Sequence, residues 1–248
     1  MIDPEFESER KGKIGDIGAD PALNDLTRRW LGRAQELAYS YNFDWLGLPI
    51  IQYPQDIVAM QELVWSLQPD LIVETGIARG GSAIFYSSLL ELNALCGGPV
   101  DARVVAVDID IRPRNRAAIE SHPMSRRLTM IQGSSIDDAI VAEVRRHATG
   151  RARILVCLDS NHTHDHVLAE LRAYAPLVTP GSYCVVFDTL IEDLPPPAIG
   201  NRPWGKGDNP LTALRAYLAE VDEFEIDAVR HRKLQVTVAA HGFLRRKD

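Results

Sequence analysis

The segment Asp70-Leu-Ile-Val-Glu-Thr-Gly-Ile-Ala-Arg-Gly-Gly-Ser82 predicts a buried strand, a glycine-rich turn and the start of a helix. Residues 71–73 are apolar and sterically suited to a strand that is covered on both faces. The three glycines let the backbone turn tightly and let a ligand approach where a Cβ would clash. A strand–turn–helix unit of this kind is typical of nucleotide-binding α/β proteins.

The same strand–helix alternation continues along the chain. After the strand at 70–74 and a helix at 82–95, apolar runs predict strands at 103–107, 128–131, 154–158 and 183–187, with helices starting near 113, 137 and 163. Repeated units with nearly continuous apolar strands favour a parallel sheet with helices on both faces. Residues 211–220 predict a further helix, and residues 224–229 and 234–238 predict a closing β-hairpin that adds antiparallel pairing.

The residues before this repeat divide into two parts. Residues 1–20 are polar and lack a hydrophobic period, so we expect a flexible arm. Residues 21–68 predict a helical cap, with one helix from Pro21 to Tyr41 and a second that begins with Asp56 as its N-cap. Residues 69–248 then form one domain.

Composition excludes several classes of protein. The chain has 248 residues, 46% of them hydrophobic, and a formal net charge of −7. Net acidity argues against nucleic acid as the partner. A membrane span needs roughly 20 consecutive apolar residues, so we expect no membrane association. The charged N-terminus resembles no signal peptide, and three cysteines without metal-site spacing suit the reducing cytoplasm. The expectation is a cytoplasmic protein with a small-molecule site.

Polar residues at two predicted strand ends indicate a nucleoside ligand. Glu74, Gly76, Gly80 and Ser82 surround the first turn, and Asp108 closes the second strand, where an acid binds ribose hydroxyls in nucleotide-binding folds. The glycine spacing is not G-x-G-x-x-G, which weakens a dinucleotide interpretation. A strand–helix turn without any ligand remains an alternative.

These residues resemble the first motif of class I S-adenosylmethionine-dependent methyltransferases, Glu-x-Gly-x-x-x-Gly-x-Ser. Further segments are similar to the cephalosporin hydroxylase family, which includes rhamnosyl O-methyltransferases; the segments are Trp45-Leu-Gly-Leu-Pro49, Pro69-Asp-Leu-Ile-Val-Glu-Thr-Gly76, Val107-Asp-Ile-Asp110, Leu158-Asp-Ser-Asn-His162, Asn201-Arg-Pro-Trp-Gly-Lys-Gly-Asp-Asn-Pro210 and Gly242-Phe-Leu-Arg245. The resemblance implies a Rossmann-like class I methyltransferase fold, with a mostly parallel seven-stranded sheet, a C-terminal antiparallel hairpin and an N-terminal helical cap.

The resemblance also implies where S-adenosylmethionine binds. Gly76 and Gly80 approach its methionine part, and Asp108 binds its ribose. Ser135 or Asp137, after the third strand, faces the adenine amine, although each residue is equally suited to cap the following helix.

Asp159 and Asp188 close the fourth and fifth strands, which are neighbours in this family's strand order. Two carboxylates over one edge of a sheet suit Mg²⁺, which prefers hard oxygen ligands. Relatives that use a metal commonly carry an acid–acid or Asp-Asn pair on the fifth strand. Here Thr189 follows Asp188, so either Thr189 or a more distant acid (Glu192 or Asp193) serves as the third ligand, or the metal site is weaker. The alternative is that Asp188 only caps a loop.

His162 lies where metal-dependent relatives place a general base, and imidazole can accept a proton near neutral pH. Asp159, acting through the metal, is the other candidate catalytic residue for removing the proton of the acceptor hydroxyl. His164 and His166 are competitors. Their spacing cannot put three histidines on one helical face, which argues against a zinc site and predicts that the other two are surface residues.

The loop from Pro195 to Pro210 predicts a lid over the substrate. Arg202, Trp204 and Asp208 are its candidate substrate contacts, although Trp204 is also consistent with a surface anchor.

The resulting expectation is an S-adenosylmethionine-dependent and Mg²⁺-dependent O-methyltransferase. Its acceptor is a hydroxyl of a natural-product deoxysugar, nucleotide-linked or glycoside-linked, as in antibiotic tailoring. The alternatives are a methyltransferase-fold accessory subunit and an NAD-dependent dehydrogenase, which the glycine spacing opposes. The apolar helix between Leu23 and Ala38 further predicts a homo-oligomer.

Overall fold

A computed structural model describes residues 3–248. Its main sheet has seven strands in the order β5-β4-β3-β6-β7-β9-β8, and a separate two-stranded sheet pairs β1 with β2. The strands are β1 (Phe43–Trp45), β2 (Leu48–Ile50), β3 (Leu71–Thr75), β4 (Arg103–Asp108), β5 (Leu128–Gln132), β6 (Ile154–Leu158), β7 (Tyr183–Val186), β8 (Phe224–Ile226) and β9 (Phe243–Arg246).

The helices follow the strands in the alternation that the sequence predicts. They are α1 (Pro4–Ala19), α2 (Pro21–Glu36), α3 (Pro54–Leu67), α4 (Gly81–Leu95), α5 (Pro113–Glu120), α6 (Asp138–Ala148), α7 (His164–Tyr174), α8 (Pro196–Ile199), α9 (Pro210–Glu220) and α10 (Ala228–Leu234). No helix within residues 3–248 combines the length and apolar character needed to cross a membrane.

Strands β3 to β7 pair in parallel, and β9 joins β7 and β8 by antiparallel ladders. Alternate side chains along each strand enter opposite layers of the core. Ile72 packs in the layer that contains α3 and α4, whereas Leu71 and Val73 pack in the layer that contains α6, α7 and α9. Burial of both faces explains why the strands are apolar throughout. The predicted α/β class and the mostly parallel seven-stranded sheet are therefore confirmed.

The predicted C-terminal hairpin is wrong in its second strand. Residues 224–226 form β8, but their partner is β9, and the intervening chain forms α10. Residues 234–238 turn inward instead, because the buried carboxylate of Asp56 accepts hydrogen bonds from the Thr237 hydroxyl and from the backbone N–H of Val238, the latter at 2.9 Å. A buried carboxylate with two donors outweighs the local strand propensity.

The same contact corrects the role predicted for Asp56. Helix α3 begins at Pro54, with Tyr53 at the N-cap position, and Asp56 lies inside the first turn. Asp56 has no solvent exposure. Burial raises its pKa to about 7, against the opposing effect of the Thr237 and Val238 hydrogen bonds.

The structure also corrects the predicted arm and the first cap helix. Helix α1 covers most of residues 1–20, with Asp3 as N-cap and Pro4 at its first position, and it has no buried residue. A helix without an apolar face carries no hydrophobic period, so pattern analysis misses it. Helix α2 ends at Glu36 rather than Tyr41, because Ala38 adopts a left-handed backbone conformation (φ 51°).

Candidate active site

The carboxyl ends of β3, β4, β6 and β7 meet at one edge of the sheet, around the point where the strand order reverses between β3 and β6. Open α/β sheets bind ligands at this point. Two adjoining cavities lie here. The β4-side cavity, of about 210 Å³, includes Asp108, Ser135 and His166. The β7-side cavity, of about 270 Å³, includes His162 and Asp188.

Two glycines shape the turn between β3 and α4. Gly76 has a φ of 93°, and a Cβ there would lie 2.1 Å from the carbonyl oxygen of Asp159. Gly80 has a φ of 90°, and a Cβ there would lie 2.3 Å from Cγ1 of Ile119. Both positions therefore require glycine for the packing of the chain itself. Gly76 lines both cavities.

Asp108 holds the glycine-rich turn from the end of β4. Its Oδ2 accepts hydrogen bonds from the N–H groups of Ile77 (2.8 Å) and Ala78 (3.0 Å), and its Oδ1 accepts one from Asp110 N–H at 2.9 Å. A carboxylate has about four acceptor sites, so Asp108 retains capacity for a ligand in the β4-side cavity.

Glu74 is buried beside the same turn, and its Oε2 has no partner among residues 3–248. Burial raises its pKa to about 8, a hydrogen bond with Ser82 opposes the shift, and the charge of Asp108 adds to it. Ser82 itself lines the β7-side cavity. A buried carboxyl oxygen without a partner at this edge is suited to accept a hydrogen bond from a bound ligand.

The sequence left open whether Ser135 or Asp137 faces the adenine, and the structure places these two residues in different surroundings. Ser135 is buried, lines the β4-side cavity and donates a 2.5 Å hydrogen bond to Oε1 of Glu170. Asp137 is exposed, occupies the N-cap position of α6 without a side-chain capping bond, and lines neither cavity.

A buried polar network beside Ser135 is absent from the sequence predictions. Glu170 is fully buried and also accepts a 2.6 Å hydrogen bond from Ser160, and Nε2 of His166 lies 3.0 Å from Oγ of Ser135. His166 is therefore not the surface residue that its spacing predicts. His166 and Glu170 are four residues apart, which places both on one face of α7. This spacing is the feature of the sequence from which their contact could have been predicted.

Asp159, His162 and Asp188 form the only group of three such metal-ligating side chains within residues 3–248, with one ligand atom from each within 4.8 Å of the others. Nε2 of His162 lies 3.0 Å from Oδ2 of Asp188. Asp188 adopts a left-handed conformation (φ 56°) at the end of β7, a region that Asp tolerates better than most residues.

The electrostatics of this cluster favour a cation. Burial, followed by the charges of Asp188 and Glu74, raises the pKa of Asp159 well above its usual value. Within residues 3–248, neither Asp159 nor Asp188 forms an ion pair with Lys or Arg. Neighbouring carboxylates without a cationic side chain are the donor set that a divalent ion neutralises.

The predicted third metal ligands lie elsewhere. Thr189 is buried and donates to the carbonyl oxygen of Val238 at 3.4 Å. Glu192 accepts hydrogen bonds from Gly207 N–H and from the side chain of Asn209. Asp193 lines a separate cavity. His162 is the residue that joins the two aspartates instead.

The predicted lid meets the β7-side cavity through two of its three candidate residues. The ring of Trp204 packs edge-on against His162 at a centroid distance of 4.8 Å, and the guanidinium of Arg202 lies 5.8 Å from the Trp204 ring. Asp208 points away from the cavity, because its Oδ1 accepts the backbone N–H of His164 at 2.6 Å, in the first turn of α7. Nδ1 of His164 in turn lies 2.8 Å from the Thr212 hydroxyl, outside the site.

Sequence reasoning missed the contribution of the N-terminal cap to this cavity. Gln35, Ser40 and Tyr41 line it, together with Gln52, whose Nε2 donates to Oδ2 of Asp159 at 3.0 Å. Gln52 is buried and polar within an otherwise apolar stretch, Pro49-Ile-Ile-Gln-Tyr53. An isolated polar residue in such a stretch was the available signal.

Fold and site together define a class I S-adenosylmethionine-dependent methyltransferase. Residues 37–247 match the family model described as Rhamnosyl O-methyltransferase/CmcI. A curated rhamnosyl O-methyltransferase of Mycobacterium leprae (strain TN) is 32% identical over 206 residues, which cover 82% of each chain. The chain belongs to this rhamnosyl O-methyltransferase/CmcI family.

Solved structures show the same fold. A structure of CmcI with Mg and SAM has a TM-score of 0.57 at 20% identity, covering 84% of this chain and 78% of that one. MycE, a methyltransferase of mycinamycin biosynthesis in complex with Mg and SAH, has a TM-score of 0.50 at 17% identity, covering 88% of this chain and 54% of that one.

Proposed function

We propose that this protein transfers a methyl group from S-adenosylmethionine to a hydroxyl of a rhamnosyl or related deoxysugar unit, with Mg²⁺ as a required cation. The single observation that carries this proposal is the Asp159–His162–Asp188 cluster. It lies in a cavity that shares the glycine-rich turn with the β4-side cavity. The two aspartates, the histidine and the glycine-rich turn therefore lie at one edge of the sheet.

The residues of the β4-side cavity fit the adenosine part of the cofactor. Asp108 retains acceptor capacity for ribose hydroxyls. Ser135 provides a buried hydroxyl for the adenine edge. Gly76 lines both cavities, and the methionine part of the cofactor is proposed to extend past it into the β7-side cavity towards Ser82.

The β7-side cluster fits Mg²⁺. Asp159 and Asp188 provide hard oxygen ligands, and burial, together with the charge of Asp188, raises the pKa of Asp159, both of which a bound cation would oppose. Family relatives with this fold include CmcI and MycE structures that contain Mg. Asp159 and Asp188 would hold the ion, which when bound would lower the pKa of a neighbouring acceptor hydroxyl and make it a better nucleophile.

His162 is proposed as the general base. In the neutral tautomer that carries its proton on Nε2, it donates to Oδ2 of Asp188, and Nδ1 remains free to accept the proton of the acceptor hydroxyl. Asp188 then stabilises the imidazolium that results, and the acceptor oxygen takes the methyl group as the sulfonium becomes a thioether. Trp204 restricts the ring from one side, which fixes its orientation.

The walls of the β7-side cavity suit a sugar. Tyr41 and Trp204 offer aromatic surfaces for the C–H faces of a pyranose, and Gln35, Ser40 and Arg202 offer polar partners for its hydroxyls. The rhamnosyl group itself is suggested by the name of the mycobacterial relative. A role in the tailoring of a natural product follows from the same relationship.

The test is methyl transfer in vitro. The protein is incubated with methyl-labelled S-adenosylmethionine, Mg²⁺ and a panel of rhamnosides and nucleotide-linked deoxysugars, and products are read by mass spectrometry. A gain of one methyl group that EDTA abolishes and added Mg²⁺ restores supports the proposal. Turnover that survives EDTA contradicts the metal requirement, and transfer only to non-sugar hydroxyls contradicts the substrate class.

We also propose that the protein acts in the cytoplasm as a homo-oligomer. On α2, Leu26 is 56% exposed and Leu23 is 36% exposed, so part of this helix presents apolar surface to solvent. Such surface is commonly covered by a second copy. Size-exclusion chromatography with light scattering measures the mass directly, and a monomer at micromolar concentration would rule the proposal out.

A further inference from the structure

Glu170 on α7 is a charged residue that the proposed reaction does not use. It is fully buried, and its Oε1 accepts two short hydrogen bonds, from Ser135 at 2.5 Å and from Ser160 at 2.6 Å. Both serines line the β4-side cavity, whereas Glu170 lies behind them. The carboxylate therefore touches the cavity through these two hydroxyl groups and through Nε2 of His166, which lies 3.5 Å from its Oε1.

This arrangement fixes which way the two hydroxyls face. A serine hydroxyl has one proton and two lone pairs. Because Ser135 and Ser160 both direct their protons to Glu170, each has only lone pairs left for other partners. Nε2 of His166 lies 3.0 Å from Oγ of Ser135 and 3.3 Å from Oγ of Ser160, and it can bond to these oxygens only as an N–H donor. The hydroxyl oxygens are thus acceptors towards the cavity.

We infer that Glu170 makes the β4-side cavity selective for a purine with a hydrogen-bond donor at position 6. An adenine presents an amino group at that position and can donate to Ser135 or Ser160. A hypoxanthine presents a carbonyl oxygen there, which would face a second acceptor without a proton between them. This inference rests on the proposed function, because it places the adenine of the cofactor in this cavity.

Glu170 is accordingly a positioning residue that acts through the two serines. Its second oxygen, Oε2, has no partner among residues 3–248. A fully buried carboxylate with one unpaired oxygen is unfavourable for folding alone. The role of this buried carboxylate is to orient the protons of the two serine hydroxyls away from the ligand through its Oε1.

The experiment measures binding rather than turnover. Dissociation constants for S-adenosylhomocysteine and for S-inosylhomocysteine, which carries the 6-oxo purine, are determined by isothermal titration calorimetry on the wild-type chain and on Glu170→Gln. The wild type is expected to prefer the adenosyl compound by about 10- to 100-fold. In Glu170→Gln, the side-chain amide donates to one serine, whose proton is then free to face a carbonyl, and the preference is expected to fall to about threefold or less.

A matched control is Asp165→Asn, which removes one negative charge from the exposed face of the same helix. It is expected to keep the wild-type preference. Ser135→Ala provides a second test that leaves Glu170 in place. It removes one oriented acceptor, so it should weaken binding of the adenosyl compound about tenfold and change binding of the inosyl compound much less.

Two results overturn the inference. One is a wild-type protein that binds both compounds equally, and the other is a Glu170→Gln variant that weakens both by the same factor, as a purely structural role would. These outcomes are distinct from failure of the proposed function. Selective binding of the adenosyl compound without transfer to any sugar would support the role of Glu170 and reject the proposed substrate.

Discussion

The two cavities at the edge of the sheet differ in how well their polar groups are already paired. In the β4-side cavity, Asp108 accepts three backbone N–H groups, and Ser135 bonds to a buried carboxylate. In the β7-side cavity, Asp159 and Asp188 face each other with one histidine and one glutamine as partners. The first cavity is preorganised for a ligand of fixed shape, whereas the second holds two neighbouring carboxyl groups whose charges a bound cation would neutralise.

Substitution at His162 should produce the largest effect, and it should impair the β7-side cavity while leaving the β4-side cavity intact. His162→Ala removes the proposed base, so kcat is expected to fall by about 10²- to 10⁴-fold. The dissociation constant of S-adenosylhomocysteine should stay within about twofold of the wild-type value, because its adenosine part is proposed to bind in the β4-side cavity, which His162 does not line. Steady-state kinetics and calorimetry give the two numbers.

The control for this variant is His147→Ala, a half-buried histidine in the last turn of α6 that lines neither cavity. It should leave kcat unchanged. A His162→Ala protein with at least half of the wild-type kcat would show that another group accepts the proton.

The next largest effect tests the repulsion between the carboxylates of Asp159 and Asp188. Asp188→Asn should weaken Mg²⁺ binding by about 100-fold or more, since loss of groups that merely support a metal ligand already costs 10- to 100-fold. The same change removes one of two neighbouring charges, so without metal the variant should be more stable than the wild type by roughly 1 kcal/mol. Calorimetric Mg²⁺ titration and urea unfolding in EDTA measure both.

Ser135→Ala is the matched change in the β4-side cavity, and it should lower the stability instead. Its hydroxyl is a donor to a fully buried carboxylate, whose partner is lost. If Asp188→Asn also lowers the stability in EDTA, the two cavities do not differ as described.

A smaller effect is expected at the lid. Trp204→Ala should raise KM for the sugar acceptor about five- to tenfold and leave KM for S-adenosylmethionine unchanged, because Trp204 packs against His162 and does not line the β4-side cavity, where the adenosine part is proposed to bind. Lys206→Ala, an exposed change in the same loop, is the control. A change of KM for the cofactor in Trp204→Ala would mean that the two cavities are not separable.

The smallest effect concerns the pH dependence of stability, which we expect from the buried carboxyl group of Asp56. The folded-state pKa of Asp56 is about 7, above its ordinary value of 3.8, because the group is buried. Between these values the folded chain holds a proton that the unfolded chain has released. Its contribution to stability is therefore complete below about pH 4 and decreases as pH rises to about 7, with a slope of at most about 1.4 kcal/mol per pH unit.

Asp56→Asn removes this ionisation and keeps a side chain of similar shape. The difference in unfolding free energy between wild type and variant, measured by urea titration from pH 4 to 8, should therefore shift in favour of the variant as pH rises. A difference that stays constant over this range would mean that Asp56 ionises normally in the folded protein.

Local pattern sufficed for the parallel part of the sheet. Strand β6 occupies the predicted residues 154–158, β3 is shifted by one residue to 71–75, and β4, β5 and β7 differ by one residue at their C-terminal ends. Strands β3, β6 and β7 are buried along their whole length, so their composition alone reveals them. The positions of Asp108, Asp159 and Asp188 followed from the same alternation, since a residue at the end of a parallel strand has only one edge on which to lie.

Features that depend on distant contacts could not be read in this way. Thr237 and Val238 leave the predicted hairpin for Asp56, 181 and 182 residues away along the chain. Asp208 resembles a substrate ligand in its loop motif, yet it bonds to the backbone of His164. No periodicity encodes such pairs, because each partner's local sequence is equally consistent with an exposed polar residue.

The origin of the cavity walls has a consequence for altering this protein. The β7-side cavity takes Gln35 from α2, Tyr41 from the chain between α2 and β1, and Trp204 from the loop before α9, all outside the seven-stranded sheet, whereas the β4-side cavity is built from the ends of the parallel strands and the start of α7. We therefore expect that exchange of the 35–41 and 202–204 segments between relatives changes the acceptor range without disturbing strand register. On the proposed function, acceptor choice could then be grafted while cofactor binding is kept.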